Sequence, residues 1–255
     1  MQVVDVNCDM GESFGAYKIG ADEEMMKHIT SANIACGYHA GDPVVMDRTV
    51  KLALQHGVQI GSHPGYPDLM GFGRRPMTLS HEEIESYVIY QMGALWAIAK
   101  ANGAEMRHFK THGALGNLTF VDLEVSRAVA RGVARFSKEL LIYSIPGIPM
   151  VEACQELGLR VVREFYPERG YNADGTLQSR KMPGSSIQDP KVALERAMLA
   201  VKEGIVVAWA GETVRVQADS LCIHGDNPVA PRIASSLVAA LRAEGIQTKP
   251  ASEFL

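Results

Sequence analysis

Apolar residues recur along this chain in short runs of strand length. Most runs are separated by stretches whose apolar positions follow a helical period, and this alternation is typical of a mainly parallel sheet with helical crossovers. The predicted strands are residues 2–8, 32–36, 58–61, 106–111, 140–145, 160–165, 205–209 and 219–223.

Capping residues mark several helix boundaries between these strands. Asp, Asn or Ser before a proline or a capping-box glutamate favours a helix start, and glycine after a helical run favours a stop. The start signals are Asp42-Pro43, Ser80 with Glu83, Asp189-Pro190 and Asn227-Pro228, and the stop signals are Gly57 and Gly103. These signals predict helices near residues 43–56 and 81–102.

Two segments depart from the alternation of strand and helix. Between residues 205 and 217, two β-like runs are separated only by Ala210-Gly211-Glu212, which favours a hairpin over a helical crossover. Residues 166–189 are rich in turn-forming residues and long enough for an active-site loop or lid, with a plain surface loop as the alternative.

Polar and apolar side chains alternate along the strands with the period of two that places them on opposite faces. On the first strand, Asp5, Asn7 and Asp9 share one face. The polar faces of later strands carry Asn33, His63, His108, Lys110, His112, Glu164, Ser220, Cys222 and His224.

A barrel explains these polar faces, because helices cover its outside and the polar row then points into its lumen. An open sheet would also alternate, but its water-facing residues are usually Lys, Glu and Thr. We therefore predict a single domain over residues 1–255, folded as an irregular α/β barrel, a (β/α) barrel of about seven parallel strands.

Histidines concentrate at the predicted carboxyl ends of strands, where active sites of parallel barrels gather. They are His39, His63, His112 and His224. One histidine at such a place is more often structural, but four together favour a site that moves protons or binds a divalent metal. Asp9, His63 and His112 could form a site for Mg²⁺ or Zn²⁺ that activates water, although they show no local metal motif.

Lys110 is the candidate electrophilic group of the lumen. Its ammonium could stabilise a developing oxyanion or a phosphoryl oxygen, and an ion pair with Asp5 or Glu164 is the structural alternative. The candidate general bases are Asp9, Glu12 and Asp226. Asp42 is assigned as a helix cap instead.

Substrate binding is assigned to polar residues near the predicted mouth. Arg74 and Arg75, in GFGRRP, could hold a carboxylate or a phosphate, with surface solvation as the alternative favoured for at least one of them. The other candidates are Asn7, Asn33 and Glu164. The sequence contains neither a P-loop nor a GxGxxG fingerprint, so a familiar nucleotide cradle is missing.

Composition excludes some functional classes. The net charge is -4 and Lys and Arg are scattered, so we expect no nucleic-acid partner. The first residues do not resemble a signal peptide, and no later run is long and apolar enough to span a membrane. We expect a soluble, cytoplasmic protein whose four cysteines are reduced and pack as small apolar residues.

Five segments resemble signature blocks of the LamB/YcsF family. They run nearly end to end in the family's order: VDVNCDMGESFGAYKIG (4–20), SANIACGYHAGDP (31–43), IGSHPGYPDLMGFGRR (60–75), FKTHGALGN (109–117) and CIHGDNP (222–228). The resemblance implies a fold like the glycoside hydrolase/deacetylase barrels. It also implies the A subunit of a prokaryotic 5-oxoprolinase, which works with partner subunits B and C to open 5-oxo-L-proline to L-glutamate with ATP hydrolysis.

This activity has a physical rationale. A five-membered lactam is a stable amide, and ATP could activate its carbonyl by phosphorylation before water attacks. Lys110 and His112 would then steady the charged oxygen, while Asp9 or His63 would position water directly or through a metal. The alternatives are a stand-alone metal-dependent deacetylase or amidase and a non-catalytic lactam-binding subunit. Each hypothesis is compatible with a homo-oligomer.

Overall fold

The computed structural model describes residues 2–179, 182–225 and 229–255, and over these residues the chain forms a closed barrel of seven parallel strands. In chain order the strands are β1 (Val3–Met10), β2 (Ser31–Ala35), β3 (Gln59–His63), β4 (Met106–Phe109), β5 (Leu141–Ser144), β6 (Arg160–Phe165), β7 (Ile205–Val207), β8 (Thr213–Arg215), β9 (Ser220–Ile223) and β10 (Gln247–Thr248). The barrel order is β1-β2-β3-β4-β5-β6-β9, and β9 pairs with both β6 and β1 to close it. The predicted fold class is confirmed.

Helices cover the outside of the barrel. They are α1 (Asp22–Met25), α2 (Pro43–His56), α3 (His81–Ala101), α4 (Gly113–Thr119), α5 (Leu123–Phe136), α6 (Pro149–Glu156), α7 (Pro190–Glu203) and α8 (Ala230–Ala243), with 3-10 turns at Leu69–Gly71 and Ala251–Glu253. In α5 the buried row Val125, Val129 and Val133 has the four-residue spacing of one helix face. Among the described residues, no helix has the length and apolarity needed to cross a bilayer.

The predicted capping signals act as expected where the structure describes them. Asp42 accepts hydrogen bonds from the amides of Val44 and Val45 and begins α2. Ser80 and Glu83 form a reciprocal capping box at the start of α3, and Asp189 caps α7. Gly57 and Gly103 have φ of +67° and +74°, as left-handed stop residues require. The signal at 227–228 lies outside the described residues.

The two segments that depart from the strand and helix alternation, residues 205–217 and 166–189, fold differently. The run at 205–209 contributes β7 to an antiparallel hairpin with β8, as the short turn predicted, and not to the barrel. The described part of residues 166–189 makes short bridges, such as Arg169 with Ser186, and its first residues are buried in the barrel mouth. Residues 180–181 of the segment are outside the described ranges.

Strand register brings polar residues to one level of the lumen. Asp9 pairs with Asn33, Asn33 with Gly61, and Gly61 with His108. A Cβ on Gly61 would lie only 2.0 Å from Cδ2 of His108, so the glycine makes room for this imidazole. All four cysteines are free and buried, and Cys222 faces the polar lumen instead of packing only among apolar residues.

Candidate active site

A buried carboxylate, Asp5, occupies the lower lumen. It accepts hydrogen bonds from the hydroxyls of Thr30 and Ser31 at 2.6 Å each, from Tyr143 at 3.0 Å, and from Ser220. Burial raises the pKa of Asp5 above its ordinary value, although these hydroxyls oppose the shift. The ammonium of Lys110 makes its ion pairs higher in the lumen, so the predicted alternative partner is Glu164 and not Asp5.

Lys110 lies between two carboxylates in the middle of the lumen. Its Nζ is 2.8 Å from Oε1 of Glu164 and 3.1 Å from Oδ1 of Asp9. It also donates to Oδ1 of Asn7 at 3.3 Å and to Sγ of Cys222 at 3.0 Å. Burial disfavours the ammonium, but the negative charge of Asp9 and its neighbours prevails and raises the pKa of Lys110 well above its ordinary value.

The amides of Asn7 and Asn33 connect this charge cluster to the lumen wall. Asn33 donates from Nδ2 to Oδ1 of Asn7 at 2.8 Å and to Oδ1 of Asp9 at 2.9 Å. Its own Oδ1 lies 2.9 Å from Nε2 of His108. Burial also holds the pKa of Asp9 up, but His63 and Lys110 outweigh it and set that pKa well below its usual range.

Three imidazoles and a carboxylate meet above this layer, at the mouth. His39 and His112 stack with ring centroids 3.6 Å apart, and Nδ1 of His112 is 3.0 Å from Nε2 of His63. Oε1 of Glu12 is 3.5 Å from Nε2 of His39 and 3.7 Å from Nδ1 of His112. We call Glu12, His39, His63 and His112 the mouth cluster.

The mouth cluster brings together side chains of the kind that bind cations. Burial lowers the pKa of His39 well below its ordinary value and that of His112 to about 3, so both rings are neutral at pH 7 and offer lone pairs. One donor atom from each of the four residues lies within 4.8 Å of the others, and these residues could hold a divalent metal ion.

The mouth cluster differs from the predicted metal set in its carboxylate. It contains His63 and His112 as expected, but Glu12 supplies the oxygen and His39 a further nitrogen. Asp9 borders the cluster through Oδ2, which is 3.4 Å from Nε2 of His63, while its Oδ1 is held by Lys110 and Asn33.

A second wall of the mouth includes residues that the sequence analysis missed. Tyr166 donates to Oε2 of Glu164 at 2.5 Å and stacks on His224 at 5.6 Å. Oε2 of Glu168 accepts the backbone N–H of His224 at 2.9 Å and is 3.5 Å from its Nδ1. Glu164, Tyr166 and Glu168 are spaced by two residues, so continuing the alternation of β6 past its end would have found them.

The two predicted arginines have different positions. Arg75 hydrogen-bonds and ion-pairs with Asp68, which also caps the turn at residues 69–71, so the geometry gives it a role in loop structure. The Arg74 guanidinium lies over the ring of Phe72 at 5.0 Å, and its charge helps to lower the pKa of His112. Arg74 is exposed beside Phe72, whose ring contacts His39 and His112. The predicted base at 226 is outside the described residues.

The fold and this site define a parallel α/β barrel with an ionised lumen and an imidazole-rich mouth. The chain belongs to the LamB/YcsF family, whose sequence model matches residues 4–255. It is 51% identical over 252 residues to the A subunit of 5-oxoprolinase from Pyrococcus abyssi, with 99% of each chain covered. It is 45% identical to the A subunit of 5-oxoprolinase from Fusobacterium nucleatum, with 99% of this chain and 98% of the relative covered.

One solved structure agrees with this assignment, and a second shares the fold. A lactam utilization protein from Thermus thermophilus superposes with a TM-score of 0.94 at 46% identity, covering 98% of this chain and 99% of that one. The structure described as T48 deacetylase with substrate has a TM-score of 0.50 at 13% identity, covering 99% of this chain and 89% of that one. The second likeness concerns the fold alone.

Proposed function

We propose that the chain acts as the A subunit of a multi-subunit 5-oxoprolinase and carries the site at which 5-oxo-L-proline is opened to L-glutamate. The observation that carries the proposal is the buried Lys110, placed between Asp9 and Glu164 directly below the mouth cluster. Support also comes from end-to-end similarity to relatives named as the A subunit of 5-oxoprolinase.

Hydrolysis of a lactam requires a polarised carbonyl, a positioned water and a proton for the leaving nitrogen. In this proposal Lys110 stabilises negative charge that develops on the carbonyl oxygen. Asp9 is the base for water, because the ammonium of Lys110 keeps its carboxylate ionised despite burial. His224, on the opposite wall beside Glu168, supplies the proton.

The remaining residues bind and orient the substrate. Asn7 and Glu164 hold the Lys110 ammonium, and Asn33 holds the Asp9 carboxylate. Arg74 offers a guanidinium to the substrate carboxylate at the mouth. A divalent ion held by the mouth cluster would supply Lewis-acid polarisation of the carbonyl.

ATP enters the proposal as a cosubstrate of the assembled enzyme. The sequence has no P-loop and no dinucleotide fingerprint, so we assign nucleotide binding to partner subunits B and C. The chain described here would then act on a lactam that is activated within the complex. This division predicts that the isolated chain does not hydrolyse ATP.

The test is glutamate formation from 5-oxoproline by the chain mixed with candidate B and C subunits, with ATP and each component omitted in turn. Lys110→Ala and His63→Ala should each lower turnover by about 10²–10³-fold. Lys51→Ala and His56→Ala, on exposed positions of α2, are the matched controls. Near-wild-type turnover of both lumen variants would reject the assigned site, and absence of ATP-dependent glutamate formation by the complete mixture would reject the reaction.

The mouth cluster also favours a second candidate, a stand-alone metal-dependent amidase or deacetylase. This enzyme would need neither ATP nor protein partners. Release of acetate or ammonia from acetylated sugars and simple amides by the isolated chain, with Zn²⁺ or Mg²⁺ added, would establish it. Substrate binding with wild-type activity after replacement of the lumen histidines would instead favour a subunit that binds the lactam without catalysis.

A further inference from the structure

Two backbone carbonyls fix the tautomers of His63 and His112. Nδ1 of His63 is 2.9 Å from the carbonyl oxygen of Lys110, and Nε2 of His112 is 2.8 Å from the carbonyl oxygen of Phe72. A carbonyl oxygen can only accept a hydrogen bond, so each of these ring nitrogens carries the proton. In the neutral rings, Nε2 of His63 and Nδ1 of His112 are therefore both unprotonated.

These two unprotonated nitrogens point at each other across 3.0 Å. Two lone pairs at this distance repel, and the contact is stabilising only when a cation is shared between them. His39 also needs a partner for its lone pair, because it is fully buried and neither of its ring nitrogens has a hydrogen-bond partner within the described structure. The carboxylate of Glu12 lies beside both His39 and His112.

We propose that the mouth cluster is a binding site for one divalent metal ion of the zinc class, coordinated by Glu12 Oε1, His39 Nε2, His63 Nε2 and His112 Nδ1. The carbonyls of Lys110 and Phe72 orient two of the imidazoles, an arrangement that recurs around protein-bound metals. The proposed metal binding does not depend on the lactam reaction, because it is inferred from the donor atoms alone and would hold for any substrate.

The separations of the donor atoms suit such an ion, and binding it requires the His39 ring, now stacked on His112 at 3.6 Å, to tilt until its lone pair converges with the others. In a tetrahedral site with bonds of about 2.0–2.2 Å, neighbouring donors lie about 3.3–3.6 Å apart. The observed separations are 3.0 Å between His63 and His112, 3.5 Å between Glu12 and His39, and 3.7 Å between Glu12 and His112. Imidazole nitrogens select zinc-class ions, whereas Mg²⁺ prefers oxygen ligands.

A second group of donors does not make a second site. Asp9, Cys222 and His224 also bring one donor atom each within 4.8 Å. Nζ of Lys110, however, is 3.1 Å from Asp9 and 3.0 Å from Cys222, so an ammonium already supplies the positive charge there. We therefore expect one metal ion per chain.

The experiment measures metal binding without any substrate. Untagged protein, stripped with a chelator, is titrated calorimetrically with Zn²⁺, Co²⁺ and Mg²⁺, and the loaded protein is analysed by mass spectrometry of its metal content. We expect about one Zn²⁺ or Co²⁺ per chain, bound at least about tenfold more tightly than Mg²⁺. Bound Co²⁺ should show the visible absorption of nitrogen ligation, and Zn²⁺ should raise the melting temperature.

Variants assign the ion to the mouth cluster. Glu12→Gln, which keeps the side-chain shape, and His112→Ala should each weaken Zn²⁺ binding by about tenfold or more, whereas His56→Ala on the exposed end of α2 should bind as wild type. Circular dichroism of each metal-free variant shows that it is folded. Absence of stoichiometric Zn²⁺ binding by the wild type, or wild-type binding by a folded Glu12→Gln chain, overturns the proposal.

Discussion

The buried carboxylate of Glu164 and the mostly buried one of Asp9 share the ammonium of Lys110 inside the barrel. Replacement by methionine keeps the length of the side chain but leaves Asp9 and Glu164 without their counterion. Because an uncompensated buried charge is strongly destabilising, we expect Lys110→Met to lower the free energy of unfolding by about 3–5 kcal/mol. Urea unfolding at pH 7 measures the change.

The control for this variant is Lys51→Met, which removes an exposed ion pair with Asp47 at a four-residue spacing on α2. Solvent screens that pair, so the unfolding midpoint should stay near the wild-type value. A Lys110→Met midpoint as close to wild type as that of Lys51→Met would contradict the role given to the lumen ammonium.

Asp5 should make stability depend on pH in the unusual direction. Burial raises the folded-state pKa of Asp5 above its ordinary value of 3.8, so the folded chain binds this proton more tightly than the unfolded chain. Stability therefore falls as pH rises from the unfolded pKa through the folded one. In Asp5→Asn this decline disappears, and the variant gains relative stability above that window, which urea midpoints across roughly pH 4–8 would reveal.

Asp42→Asn provides a control of opposite sign. Backbone hydrogen bonds from Gly15 and Val45 lower the pKa of Asp42, so its contribution to stability is lost as pH falls. The difference between wild type and each variant should thus slope in opposite directions. Parallel slopes for the two variants would show that Asp5 does not hold its proton in the folded state.

Candidate residues could be named from the sequence, but their partners could not. The alternation along β1 and β4 indicated the lumen positions of Asp9 and Lys110. The ion pair of Lys110 with Glu164 joins segments that are far apart in the sequence. Which carboxylate the lysine reaches depends on how the barrel closes, and alternation along one strand does not show this. Tyr166 and Glu168 were missed because a run rich in turn residues hid the continued alternation after β6.

Among the elements, β4 explains why alternation predicted that Lys110 and His112 face the lumen. The strand ends at Phe109, earlier than predicted, but the amides of Lys110 and His112 still bond to the carbonyls of Ser62 and Pro64 at 2.9 Å each. The backbone therefore stays extended beside β3, and both side chains keep facing the lumen. Strand bounds were less predictable than side-chain orientation.

The loop after β3 depends on a glycine that contacts the mouth cluster. At Gly73, φ is +63°, and an added Cβ would lie 2.6 Å from Cβ of His39 and 2.8 Å from Cδ2 of His112. Gly57 has a similar φ of +67° but nothing within 4 Å. We expect Gly57→Ala to cost about 1–2 kcal/mol of stability from backbone strain alone, with Zn²⁺ binding unchanged.

Gly73→Ala should cause the same backbone strain and should also displace the imidazoles of His39 and His112. We expect it to lose Zn²⁺ binding and lactam turnover by about tenfold or more while the chain remains folded. Calorimetric Zn²⁺ titration of the two alanine variants makes the comparison. Equal Zn²⁺ affinity in both would show that close packing of the loop does not position His39 and His112.

At the scale of the whole molecule, the row of His, Asn and Asp on the polar strand faces predicted that the sheet closes into a barrel. The water-facing side of an open sheet would usually carry Lys, Glu and Thr instead. The hairpin of β7 and β8 was recognisable from its short turn. The pairing of β6 directly with β9, which leaves the hairpin outside, could not be predicted. It depends on long-range packing: Val206 of the hairpin is fully buried, and Trp209 donates its amide to the carbonyl of Tyr171.

The single domain over residues 1–255 is still a prediction, and the two tryptophans can test it. Trp96 lies on α3 and Trp209 follows β7, so they report on distant parts of the chain. Because β1 pairs with β2, β9 and β10, loss of any barrel strand should unfold the whole sheet cooperatively. Urea midpoints from the fluorescence of Trp96→Phe and Trp209→Phe should therefore each coincide with the far-ultraviolet circular dichroism of the same variant. An earlier fluorescence transition in Trp96→Phe, where Trp209 alone reports, would identify the hairpin region as a separate folding unit.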